Sequence, residues 1–108
     1  MNAQRQIERR ILAQHRLIAQ RLQADPEAVL GQARANLTRW SRRYAGRRRP
    51  GWMDEWERLL EGPPERVLGV LTGEDEESIR LRSSSPFAGI ISQKERAAII
   101  KRVRDGAS

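Results

Sequence analysis

The side chains that carry most enzyme chemistry are scarce in this chain, which has one histidine and no cysteine among 108 residues. His15 is the sole imidazole and falls between Ile11 and Ile18 at helical spacing. That placement predicts a packed histidine with a hydrogen-bond partner rather than a general base. Glu74-Asp75-Glu76-Glu77 gathers four carboxylates. Consecutive residues on a helix point in different directions, however, and the run lacks the spaced ligands and turn glycine of a calcium loop, so a solvated helix start is expected. Gly69 and Gly73 are not followed by the Gly-Lys-Ser/Thr that holds phosphates in a P-loop. This inventory predicts no catalytic residue, no metal and no cofactor, hence a protein that acts by binding.

Two groups of residues suit binding. Arg42, Arg43, Arg47, Arg48 and Arg49 lie next to Trp40 and Tyr44; clustered guanidinium groups attract phosphate, and aromatic faces stack bases. A solvated loop, a nucleic-acid contact and a contact with an acidic patch on a protein partner all fit that cluster. Trp52 and Trp56, one turn apart with Leu59 and Leu60, suit either a core or a protein interface, where tryptophan is enriched. A helix-turn-helix drawn around Gly73 is disfavoured, because its reading helix would begin Glu-Asp-Glu-Glu and meet phosphate with like charge.

The charge is segmented: residues 1–50 hold 12 basic and 3 acidic side chains, residues 51–81 hold 3 and 9, and residues 82–108 hold 6 and 2. The net value of +7 conceals this basic, acidic, basic order. The length suits one domain with a modest core that a partner would complete. The lack of cysteine fits a reducing cytoplasm, no apolar run is long enough to span a membrane, and the first residues lack the apolar core of a secretory signal.

The elements that must position these residues read as helices throughout. Ile7, Ile11, Ile18 and Leu22, broadened by Leu12 and Leu17, predict a helix from Asn2 to Gln23. Asp25-Pro26 supplies a cap and a first-turn proline for a second helix to about Tyr44, with Val29, Ala33, Leu37, Trp40 and Tyr44 on one face. Residues 1–45 then form a basic helical hairpin, and residues 46–51 an exposed, mobile Arg-rich loop bounded by glycine and proline. Residues 52–108 complete the same domain with shorter helices. These carry Trp52 to Leu60, Val67 to Leu71, and Ile79 with Leu81, the last helix of the three capped by Thr72 and Asp75. Ser92-x-x-Glu95 opens a final helix whose face is Ala98, Ile99 and Val103. The expected fold is an all-α bundle of five to six helices with no strand and no internal repeat.

The segment Leu81-Arg82-Ser83-Ser84-Ser85-Pro86-Phe87-Ala88-Gly89-Ile90-Ile91-Ser92, followed by Glu95-Arg96, resembles a signature of small bacterial antitoxin-like proteins encoded beside nucleotidyltransferase-fold toxins. Asp25-Pro26, Ala35-Asn36-Leu37, Arg39-Trp40, Trp56 with Leu59-Leu60, and Gly62-Pro63 stand in the order found in that group. The chain departs from it in having Ala97 and Ala98, not an aromatic, after Glu95-Arg96. The resemblance implies an antitoxin that binds a cognate toxin enzyme and keeps it inactive. On this reading Ser84, Ser85, Pro86, Phe87, Ala88 and Gly89, with Trp52 and Trp56, face the partner. Phe87 is then either an anchor for the toxin or a plug between the fifth and last helices. A nucleic-acid-binding regulator, including an autorepressor that uses the basic N-terminal half, shares most of these traits, as does an oligomeric adaptor.

Overall fold

The computed structural model describes residues 3–106. Asn2, where the first helix is expected to begin, and residues 107–108 of the expected C-terminal part lie outside them. The described residues form six α-helices, α1 (Ala3–Ala24), α2 (Pro26–Ser41), α3 (Gly51–Glu61), α4 (Pro64–Thr72), α5 (Glu76–Arg82) and α6 (Gln93–Arg104), with a 3₁₀ turn at Arg42–Tyr44. No strand occurs among the described residues.

Local chemistry sets most of the boundaries. Asp25 alone separates α1 from α2: its backbone N–H donates to Arg21 O, closing α1, and its carboxylate accepts from the Ala28 N–H, opening α2 with Pro26 in the first turn. Gly62 and Pro63 end α3, because Pro63 cannot donate the next helical bond. Ser92 and Glu95 form both halves of a capping box at the start of α6.

Asp75, not Thr72, caps α5. Its carboxylate accepts from the Ser78 N–H, whereas the Thr72 hydroxyl donates back to Leu68 O within α4. The expected Thr72–Asp75 box fails because Thr72 is still helical and so cannot stand ahead of the next helix. Gly73 makes the tight link between them. A Cβ there would lie 2.7 Å from Gly69 O and 2.6 Å from Ser78 Oγ.

Helix α1 is the spine, packing on α2, α4, α5 and α6. Ile18, Ala19 and Leu22 belong to one buried cluster with Val29, Ala33 and Leu37 of α2, Trp56 and Leu60 of α3, Val67 and Leu71 of α4, and Leu81 of α5. Both halves of the chain therefore share one core. The expected apolar stripe of α1 outruns it, since Ile7 is 45% exposed. On α6, Ile99 and Val103 are buried but Ala98 is exposed, so the inward face is narrower than the spacing suggested.

Candidate functional site

The loop from Ser83 to Ser92 is built from all sides. Ser83 and Ser84 hydroxyls donate to Arg80 O and Leu81 O, extending the end of α5, and the Phe87 N–H donates to Ser85 Oγ. Gly89 adopts φ +84°, a left-handed conformation that suits glycine and turns the chain toward α6. From α2, Asn36 Nδ2 donates to Pro86 O at 2.8 Å and Ala88 O at 2.9 Å. Its Oδ1 accepts from Gln32 and Arg39, so a nearly fully buried amide is satisfied on both ends. From α1, Arg21 donates to Ile90 O and pairs with Glu95. That bond holds the Glu95 carboxyl down at about 2.

Phe87 is not a presented anchor. It is 3% exposed and meets Trp56 edge to face at 5.7 Å. Pro86 is fully buried, and Trp56 is fully buried with its indole N–H donating to Leu81 O. These three expected partner contacts are therefore core: the ring of Phe87 enters the space beside Trp56 because Asn36 draws the backbone on either side of it inward. The outward face of the loop is Ala88 and Gly89, flanked by half-buried Ser84, Ser85, Ile90 and Ile91. Trp52 is half-buried and packs against Trp40 at 6.5 Å.

The arginine group is divided by the fold. Arg42, Arg43, Arg47 and Arg48 are exposed, with Arg47 over the Tyr44 ring and donating to Arg43 O. Arg49 instead pairs with Asp54 and Glu57 of α3 at 3.0 and 2.7 Å. The expected mobile loop is thus tied at its far end, and Gly51 already belongs to α3. Of the five arginines, four remain on the surface at the end of α2.

His15 is buried, and Nδ1 lies 2.7 Å from Ile11 O. A carbonyl only accepts, so Nδ1 carries the hydrogen and Nε2 is bare; Nε2 has no partner among the described residues. Burial, reinforced by the nearby Arg82 charge and opposed by the Ile11 bond, lowers its pKa to about 4. Asp75 to Glu77 form the solvated helix start expected of them, and no group of three or more metal-ligating side chains occurs among the described residues.

Asn36 and Arg21 are the positioning residues that sequence reasoning missed. Asn36 carried a signal, a polar side chain beside Leu37 on a buried face that must find partners; Arg21 carried none beyond its charge. No family model matches the chain, and no curated protein or solved structure matches it. No helix among the described residues is long and apolar enough to cross a membrane.

Proposed function

We propose that the chain is an antitoxin-like interaction protein that binds and neutralises a cognate toxin enzyme of the nucleotidyltransferase fold. The observation that carries this reading is the convergence of the resembling residues. Asn36 and Trp56, distant in sequence from the segment 81–87, reach Leu81, Pro86 and Phe87 and hold that segment in place. A loop already ordered loses little freedom on binding, which favours its use as a recognition surface. Its contact face is Ala88 and Gly89 with the flanking Ile90 and Ile91, a small apolar surface over which a partner packs closely.

If a neighbouring gene encodes a nucleotidyltransferase-fold enzyme, co-expression with that enzyme tests this. Wild-type chain is expected to restore growth and to co-purify with the toxin. Ala88→Arg is expected to weaken toxin binding at least tenfold while leaving the melting temperature of the isolated chain unchanged. Undiminished neutralisation by this variant, or no binding by the wild type, overturns the reading.

Four exposed arginines at the end of α2 favour a second reading, a nucleic-acid-binding regulator that represses its own operon. Loss of operator binding on substituting those arginines, with toxin binding intact, would establish it beside the first.

A further inference from the structure

Helix α6 packs on α1 and leaves most of its own surface open, with eight of its 12 residues exposed. Five of those eight are the cations Lys94, Arg96, Lys101, Arg102 and Arg104, and none is a carboxylate. The acidic side chain of α6, Glu95, is taken up by Arg21 of α1. The side chains of Lys94, Arg96, Lys101 and Arg102 make no hydrogen bond or ion pair to a described residue, and Arg104 meets Asp105 at 3.6 Å. By helical spacing, Lys94, Ala97, Ala98 and Lys101 form the crest of the helix, opposite the buried Ile99 and Val103. The two alanines let the helix backbone come close to whatever meets it. Beside the crest, Arg102 stands across a shallow groove from Arg16 and Gln20 of α1, both exposed, and no carboxylate lines that groove. Glu8 and Glu74 border Arg16 on its other side, toward α5.

The chemistry of this ridge selects among anionic partners. Neither α1 nor α6 contains an aromatic residue, so the ridge offers no platform on which single-stranded bases stack. The exposed apolar residues of α6 are alanines, Ile99 and Val103 being buried and Ile100 half-buried, so it also lacks the large anchors found at the centre of protein interfaces. A narrow crest of small residues rimmed by cations suits a groove walled by phosphates. The major groove of B-form DNA is about 12 Å wide and admits one α-helix, whereas the deep, narrow major groove of duplex RNA does not.

We propose that α6 lies in the major groove of duplex DNA, with Ala97 and Ala98 toward the base edges and Lys94, Lys101, Arg102 and Arg16 on the flanking phosphates. The proposal is independent of the Ser84–Gly89 loop and its partner, and it sets a DNA surface apart from the arginines at the end of α2.

Fluorescence anisotropy of the full chain with a labelled duplex DNA of mixed sequence, followed across a salt series, tests it. The matching single strand, duplex RNA of the same sequence and polyglutamate serve as competitors. Duplex DNA is expected to bind saturably and at least fivefold tighter than each of them. Ala98→Glu, which puts a carboxylate on the crest, is expected to weaken binding at least tenfold. The triple variant Lys94→Gln, Lys101→Gln, Arg102→Gln is expected to do the same and to lower the dependence of log Kd on log salt by about two to three, the number of phosphate contacts removed. All of these substitutions place good helix formers at exposed positions, so an unchanged melting temperature separates a lost contact from a lost fold. The proposal is overturned if duplex DNA does not saturate, if any competitor binds as tightly, or if either variant binds as wild type.

Discussion

His15 and Glu95 make stability fall with acidity over two different windows. The folded His15 has a pKa of about 4 against 6.5 for a free imidazole, so between these values the unfolded chain takes up a proton that the fold refuses. Stability should therefore drop as pH falls from 6.5 toward 4, by up to about 3 kcal/mol on the scale of that shift. Glu95 is also depressed, to about 2, by its bond from Arg21. Its contribution is present above the ordinary glutamate range near 4.5 and is lost as pH falls toward 2. Melting temperature followed from pH 7 to 3 checks both: His15→Leu should flatten the upper window, Glu95→Gln only the lower. Phe87 yields a separate expectation. As a core ring against Trp56, its replacement in Phe87→Ala should lower stability by about 3 kcal/mol, measured by denaturant unfolding, whereas an interface anchor would leave the isolated chain unchanged.

The short junction between α4 and α5 is held by backbone contacts that leave little room for substitution. At the α4–α5 link, the Cβ of a Gly73→Ala variant would press on Gly69 O, a backbone atom that cannot swing aside. That substitution is expected to lower the melting temperature by several degrees, while Gly69→Ala, which meets nothing within 4 Å, should not. The Asp75 cap and the Arg82 bonds to Val70 O and Gly73 O meet at this same link, so it joins the short α5 to the core.

Over the whole molecule, ion pairs stitch the basic first half to the acidic middle and the middle to itself. Arg49 reaches Asp54 and Glu57, Arg80 reaches Glu55 and Glu77, and Arg21 crosses to Glu95 of the basic last segment. Each surface pair adds little stability, but together they decide which arginines stay available. Any contact of the end of α2 with duplex DNA should therefore be weak, fall steeply with salt and depend on Arg42, Arg43, Arg47 and Arg48. Electrophoretic mobility shift across a salt series should show binding weakened by serine at those four positions and unaffected by Arg49→Ser. Undiminished binding by the fourfold variant would place the contact elsewhere.

The helical class and several helix ends were legible in the residues alone, because period and caps are written within a few positions of one another. The stripe of α1, the Asp25-Pro26 start and the Ser92–Glu95 box depend on neighbours three or four residues away. The fate of each apolar or charged side chain was not legible there, since helical spacing shows which residues share a face and not which stretch of that face finds a partner. Ile7 lies on the stripe yet in solvent, and Ala98 likewise. Phe87 looked like a presented aromatic, and Asn36, 50 residues before Pro86, pulls its loop inward. Thr72 and Asp75 are both able to cap a helix, and only the end of α4 decided between them. Arg16 and Arg102 came to flank one groove because α1 packs on α6, a contact between residues too distant in sequence for any local pattern to encode.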